Sequence, residues 1–328
     1  MKPTPAALCR CLTDGRAGHA AQALGLADAA GLRSLESRVP AHGWAIPPAL
    51  ARWLPSAPLS PPLSSAETAL ISCGRRAVAP ALAARRARTP RPFSVHIHNP
   101  GVAPQAFDLV IAPAHERLTG DNVLTTLGAL GRATPTTLAR AAARWGPTLA
   151  ALPRPWLTVL LGGPSRAFRM EPDDTAALGT RVADAARACG GTVLLISSRR
   201  TGAANATAFR RALGAVPTVF HDATVPEIAP GNPYLGWLGV ADAILVTIDS
   251  ISMISEACSA GTAVYALPVS PRCGGRAGKT QRFLGALEDA GRVRPFIGDI
   301  QFWRTAPLDE TTSAAATIRR LMTARGLL

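Results

Sequence analysis

The sequence predicts an α/β protein built from two parallel-sheet domains. Three observations carry this. Short apolar runs alternate with Ala-rich helical stretches along most of the chain, and strand–helix–strand repetition folds into parallel sheets covered by helices. The pattern breaks at the Pro-rich "LPRPW" of Leu152 to Trp156 and then restarts. Finally, 328 residues suit two domains of about 150 residues each better than a single core. The expected division is residues 1–152, residues 153–300, and a C-terminal helical segment at 301–328.

In the first domain "AALCRCLT" reads as a strand and "AAQALGLADAAG" as a helix that stops at Gly31. "ETALISC" is a strand. "AVAPALAARRAR" is a helix broken near Pro80, and "FSVHIHN" and "FDLVIA" are strands. "TTLARAAARWG" is a helix ending at Gly146. Between Pro40 and Ser65 prolines crowd in, so this stretch reads as an irregular excursion, with Trp44 and Trp53 as expected core plugs. In the second domain "WLTVLLGG", "TVLLISS", "PTVF", "AILVTID" and "AVYALP" are strands. "DDTAALGTRVADAARACG", "ANATAFRRALG", "SMISEACSAG" and "KTQRFLGALEDAG" are helices. "NPYLGWLGVAD" opens another helix, with Asn232 as its cap.

Composition excludes several classes. The formal charge is +14, which first suggests nucleic acid. The basic residues are nearly all arginines, scattered without a run of five and without interleaved aromatics, so nucleic acid is not an expected partner. An anionic membrane surface or a phosphorylated substrate fits such a surface better. Cys9, Cys11, Cys73, Cys189, Cys258 and Cys273 include no C-x-x-C pair, and they read as reduced thiols rather than a disulfide framework or a zinc site. Met1 to Leu12 carries Arg10 and no long apolar run, so no signal peptide is expected. No apolar run of about 18 residues is present. The expected location is cytoplasmic, peripheral at the inner face of the membrane.

In open α/β sheets, ligands bind beyond the carboxyl ends of the strands, and the chemistry-bearing residues fall there. "TDGRAGHAAQALG" places Asp14, Gly15, Arg16, Gly18 and His19 in the first turn. A His at a helix start can serve as a general base or grip an oxyanion. "LLGGPSRAF" runs a strand into Gly162, Gly163, Ser165 and Arg166; glycines admit close backbone approach, and a guanidinium suits phosphate. It lacks the G-x-x-x-x-G-K-S/T pattern, so it is not a P-loop. Arg199 and Arg200 follow a strand directly, placed to attract a diphosphate. "TIDSISMISEAC" ends a strand at Asp249, clusters Ser250 and Ser252 at a helix start, and puts Glu256 about one turn in. A carboxylate there can take both hydroxyls of a ribose, or simply suit the helix dipole. His96, His98 and His115 form one H-x-H and a remote His, which is not a metal signature, so no metal is expected.

The runs "DGRAGHAAQALGLADA", "FDLVIAPAHE", "GDNVLTTLGAL", "SSRRT", "NPYLGWLGVAD" and "VTIDSISMISEACSAGTAVY" resemble the plant elongated-mitochondria fission-factor family and its bacterial homologues, from about Leu12 to Phe296. More distantly the chain is similar to GT-B glycosyltransferases, such as the enzyme that adds N-acetylglucosamine to lipid I. That resemblance implies two Rossmann-like domains facing across a cleft. It makes Gly15, Gly18 and His19 the acceptor-side turn, with His19 or Asp14 as proton acceptor and Arg16 beside them. Gly162, Gly163 and Ser165 become the donor turn, with Pro164 inserted and one N–H removed. Glu256, ahead of Ser259-Ala260-Gly261, would hold the ribose, and Lys279 and Gln281 would meet the donor sugar.

The implied function is transfer from a nucleotide-diphosphate sugar to an envelope glycan or lipid-linked acceptor, without a resident cofactor or metal. A sugar-nucleotide epimerase and a non-catalytic membrane adaptor on the same fold are the alternatives. A nicotinamide dehydrogenase is disfavoured, since the first turn lacks G-x-G-x-x-G and Glu36 is the nearest acidic ribose partner.

Overall fold

The structure is a computed structural model and describes residues 7–39, 59, 61–225, 231–273 and 277–328. Two six-stranded, all-parallel sheets organise the chain. The first has the order β2-β1-β3-β4-β5-β6, built from β1 (Leu8–Thr13), β2 (Arg33–Arg38), β3 (Glu67–Cys73), β4 (Phe93–Ile97), β5 (Leu109–Pro113) and β6 (Val123–Thr126). Helices α1 (Ala17–Ala29) and α2 (Val78–Arg86) belong to it. After α3 (Pro135–Leu149), the second sheet has the order β12-β11-β10-β7-β8-β9. Its elements are β7 (Trp156–Leu161), α4 (Pro172–Cys189), β8 (Thr192–Ser197), α5 (Ala203–Ala212), β9 (Thr218–Asp222), α6 (Tyr234–Val240), β10 (Ala243–Thr247), α7 (Ile251–Cys258), β11 (Ala263–Leu267), α8 (Gly278–Asp289) and β12 (Arg294–Pro295). The chain closes with α9 (Glu310–Thr323).

The compact units divide at Arg132/Ala133 rather than at the Pro-rich break expected near residue 152, and Asp309–Leu328 returns to the first unit. Both differences have packing causes. Helix α3 lies on α6: Gly236 leaves room for the Trp145 ring, and Gly239 for the Leu138 carbonyl, each too close to admit a Cβ. Helix α9 instead seals the first core, where Ala314, Ala315, Ile318 and Met322 are fully buried among Leu26, Ile71 and Phe93. Glu310 Oε1 accepts the Leu127 N–H at 2.6 Å, and Thr311 bonds both backbone groups of Gly131. The C-terminal helical segment is therefore part of the first unit, not an appendage.

Several local expectations shift for simple reasons. Pro80 does not break its helix, because it sits in the first turn of α2, where a missing N–H costs little. Helix α3 continues past Gly146 through Pro147 to Leu149. Gly31 does end α1, at φ +74°. Cys9, Cys11, Cys73 and Cys258 are buried free thiols, while Cys189 is half-buried and Cys273 exposed. Asn232 is not the helix cap expected of it: the N-cap of α6 is Pro233, and Asn232, one residue earlier, accepts the Tyr234 N–H in an Asx turn. Trp44, Trp53 and most of the Pro-rich excursion lie outside the described residues.

One buried ion pair fixes the first sheet. Arg10 on β1 reaches Glu67 on β3 at 2.5 Å, and the side chains are 6% and 1% exposed. Burial alone would raise the Glu67 carboxyl, but hydrogen bonds from Arg10 and Ser64 outweigh it and hold the group below its ordinary range.

Candidate functional site

Each sheet reverses its strand order once, between β1 and β3 and between β7 and β10, and at both points chemistry-bearing residues meet beyond the carboxyl ends. In the first sheet the register does this. Thr13 pairs with Cys73, and Cys73 with Ile97. The residues that follow, Asp14, Gly74 and His98, leave the sheet in one row.

Asp14 Oδ1 lies 2.8 Å from His19 Nδ1 and also accepts the Arg16 N–H at 3.2 Å. The Arg16 guanidinium itself is exposed, 3.4 Å from Oδ2. Gly74 has φ +87°, and a Cβ there would lie 2.6 Å from His19 Nδ1, so both backbone and space demand glycine. Gly15 also needs positive φ, at +78°, and Gly18 lies in the first turn of α1. His98 follows β4 at φ +81°, uncommon for a residue with a side chain. His98 Nδ1 stands 3.3 Å from Glu116 Oε1, while Glu116 Oε2 accepts the Asn99 N–H at 2.6 Å. The His19 and His98 rings are 5.6 Å apart. A ring nitrogen from each and Cys73 Sγ all lie within 4.8 Å of one another.

Burial lowers the His19 pKa; Asp14 opposes this and His98 adds to it. Burial, then the charges of Asp14 and Glu116, push the Cys73 thiol well above its ordinary value. His96 belongs to the core instead. It is fully buried, hydrogen-bonded to Ser72 at 2.8 Å and stacked on Phe107, and burial lowers its pKa to about 3.

In the second sheet Asp249 is the centre. Its carboxylate, fully buried, accepts the Gly163 N–H at 3.0 Å, the Thr247 hydroxyl at 2.7 Å and the Arg200 guanidinium at 2.7 Å. Thr247 in turn accepts the Gly162 N–H at 2.8 Å. The glycine pair thereby acquires a packing reason. A Cβ on Gly162 would meet both Asp249 oxygens at 2.2 Å, and one on Gly163 would meet the Arg200 backbone at 2.2 Å. Arg200 also donates to the Gly163 and Pro164 carbonyls. Ser165 Oγ accepts the Ala167 and Phe168 N–H groups, which closes the turn. Ser250 caps α7 by accepting the Met253 N–H at 3.4 Å. Glu256, half-buried on α7, accepts the Tyr234 hydroxyl at 2.7 Å. Burial and the Glu256 charge hold the Tyr234 phenol well above its ordinary pKa. Ser252 is half-buried at the start of α7, while Arg166 and Arg199 are exposed on their loops. Lys279 and Gln281 are exposed in the first turn of α8.

The structure thus brings Gly162, Gly163 and Arg200 together through Asp249, and Asp14 and His19 together in the first unit. Sequence reasoning left out Cys73 and His98 as neighbours of His19, Glu116 as the partner of His98, and Asp249 as the hub of the second cluster. The available signal was position: each stands at or just past the end of a parallel strand.

A sequence profile of the family described as Mitochondrial fission ELM1 matches residues 17–322. The Arabidopsis thaliana Mitochondrial fission protein ELM1 is 32% identical over 283 residues, which span 78% of this chain and 64% of that protein. Among solved structures, S. aureus MnaA in its UDP co-structure matches with a TM-score of 0.53 at 11% identity, covering 98% of each chain. The UDP-GlcNAc 2-epimerase of Methanocaldococcus jannaschii matches at 0.50 and 11% identity, over 96% of this chain and 99% of that one. The Neisseria meningitidis UDP-GlcNAc 2-epimerase bound to UDP-GlcNAc matches at 0.50 and 13%, over 97% and 92%. Together with the two parallel sheets, these similarities make the fold GT-B-like, with two Rossmann-like units.

Proposed function

The chain belongs to the mitochondrial fission ELM1 family, and from that premise we propose that it binds a nucleotide-diphosphate sugar on its second unit and transfers the sugar to an acceptor. The observation that supports the reading is Glu256, a half-buried carboxylate on the helix after β10 that accepts the Tyr234 hydroxyl; a carboxylate there would take a ribose diol. The diphosphate would meet the first turn of α7 with Ser250 and Ser252, and the exposed guanidiniums of Arg166 and Arg199. Lys279 and Gln281 would face the sugar. In the first unit Asp14 would hold the His19 imidazole in one tautomer so that it takes the acceptor's proton. An epimerase is the variant in which the same nucleotide sugar is the sole substrate. Fold neighbours that hold UDP or UDP-GlcNAc supply the ligand class to try first.

The acceptor would be lipid-linked or held at an anionic membrane surface, in keeping with the +14 charge. Among the described residues no helix is long and apolar enough to cross a membrane. Sedimentation with anionic vesicles at low salt tests this part, and absence of binding removes it.

A second reading is favoured by one observation. Asp249 already takes the Gly163 N–H and the Arg200 guanidinium, contacts a diphosphate could otherwise use. On that reading the protein is a non-catalytic, membrane-associated adaptor.

The deciding experiment is a thermal-shift screen against UDP, GDP, CDP, dTDP and their sugars, with Glu256→Ala alongside. A ligand at about 100 times its Kd adds about 2.7 kcal/mol. A shift lost in Glu256→Ala supports the nucleotide-sugar reading. Equal affinity in the folded mutant overturns the role of Glu256, and no shift with any nucleotide favours the adaptor.

A further inference from the structure

We propose that His19, Cys73 and His98 form a binding site for a divalent transition-metal ion of the zinc class, at the carboxyl edge of the first sheet. The three stand at the carboxyl ends of adjacent strands, His19 in the first turn of α1 after β1, Cys73 at the end of β3 and His98 just past β4, brought side by side by the register of β1, β3 and β4. Their donor atoms lie within 4.8 Å of one another. A tetrahedral zinc with bonds of about 2.0–2.3 Å spaces its donors roughly 3.3–3.8 Å apart. Closing by about 1 Å is within the reach of side-chain rotation.

The donor set selects the ion. One sulfur and two imidazole nitrogens suit zinc-type metals, whereas magnesium and calcium take oxygen. The surroundings point the same way. A metal-bound imidazole commonly gives its other ring nitrogen to a carboxylate, which fixes its tautomer and orientation. His19 does so, with Nδ1 hydrogen-bonded to Asp14 at 2.8 Å; His98 Nδ1 lies 3.3 Å from Glu116 Oε1 but makes no hydrogen bond, a buried nitrogen a metal or a closer Glu116 would satisfy. The Asp14 bond leaves Nε2 of His19 for the ion, His98 offers one ring nitrogen, and the two carboxylates beside the rings balance the ion's charge. Gly74 and His98 both hold positive φ, at +87° and +81°. Backbone held in such regions gathers at functional sites.

Access is also suitable. The two imidazoles are each 20% exposed, and Cys73 is buried beneath them. An ion passes the rings and meets sulfur at the floor. Binding breaks the Cys73 S–H bond, forms a sulfur–metal bond and releases the proton to solvent. Three protein ligands leave a fourth position for water, the open arrangement of reactive sites rather than closed structural ones.

This inference does not rest on the nucleotide-sugar reading, and it constrains it. Once a metal holds Nε2 of His19, with Nδ1–H given to Asp14, the ring has no lone pair left for an acceptor's proton, and a metal-bound water would take that role.

The test uses the full chain, stripped by chelator and titrated with Co²⁺, in a Cys189→Ser/Cys273→Ser background that removes the two thiols outside the core. The expected result is one Co²⁺ per chain, with sulfur-to-cobalt charge-transfer absorption that Zn²⁺ abolishes. Cys73→Ser loses that absorption, and Asp14→Asn weakens affinity by about 10–100-fold. No charge-transfer absorption in the parent, or absorption that survives Cys73→Ser, overturns the proposal. If Cys73→Ser fails to fold by circular dichroism, His98→Gln replaces it: weakened Co²⁺ binding supports the site, and unchanged binding overturns it. Nucleotide affinity is not read in this experiment, so its failure is separable from failure of the proposed function.

Discussion

Gly162→Ala is a stringent probe of the second cluster. The added methyl would lie 2.2 Å from both Asp249 oxygens, and ordinary contact begins at 3.4 Å, so the carboxylate must withdraw by about 1.2 Å. That retreat stretches its bonds to the Gly163 N–H and the Thr247 hydroxyl, now 3.0 and 2.7 Å, beyond hydrogen-bonding range. Each bond to a charged acceptor contributes about 1.5–3 kcal/mol. The Arg200 contact counts for little, because that side chain is 43% exposed and can follow the carboxylate. The expected loss is about 3–6 kcal/mol, measured as urea unfolding at 25 °C, or roughly 6–24 °C in Tm for a unit of this size. Gly285→Ala is the control. Gly285 lies inside α8 with nothing near its absent Cβ, so alanine there adds about 0.8–1 kcal/mol. In an Asp249→Ser background the Gly162→Ala penalty shrinks, because the clashing carboxylate is gone. A Gly162→Ala loss below about 1 kcal/mol, or one unchanged by Asp249→Ser, would refute the view that Asp249 is pinned against this glycine.

Other expectations concern stability and ionisation. Ile318→Ala empties a fully buried position of α9 and costs about 2–5 kcal/mol. Hydrogen exchange should show the loss in β1, β3 and β4 while β7, β8 and β10 keep their protection. Glu67 and Asp108 have folded pKa values below their ordinary 4.5 and 3.8. Burial raises both, and it is outweighed by bonds from Arg10 and Ser64 in one case and from Ser94 and Arg325 in the other. Their stabilising contribution is present above those ordinary values and is lost as pH falls below them. Glu67→Gln should flatten the acid limb of a stability–pH curve, and an unaltered slope would count against it. The two tyrosines, Tyr234 and Tyr265, both titrate above 10, chiefly through burial. An ultraviolet titration of the folded protein should show little phenolate at pH 10, where free tyrosine is about half ionised.

Much of the fold was legible because each central strand is a short apolar run closed by a turn. The exceptions share a physical character. β2, "RSLESR", is an edge strand with mostly exposed side chains, so no apolar pattern marks it. β12 has two residues. Helix α3 has the same amphipathic character whichever sheet it serves, and its packing on α6, Trp145 against Gly236 and Leu138 against Gly239 among the contacts, assigns it to the second unit. At the sites, Asp14 and His19 were legible because they share one turn. Cys73, His98 and Glu116 stand at or past the ends of three separate strands, and only strand register gathers them. The glycine pair was legible as a pair, but its cause was a carboxylate some 86 residues on.

The return of α9 sets an order of events during synthesis. The first unit starts to emerge from the ribosome before the second, yet its core lacks Ile318 and Met322 until the second unit has been made. The second unit, being continuous from Ala133 to Leu308, can close first. For that interval the nascent first sheet carries an uncovered apolar strip along Leu26, Ile71 and Phe93, the stretch on which a chaperone would act. Premature termination between Leu308 and the start of α9 should therefore yield chains with a sound second half and an unfinished first one.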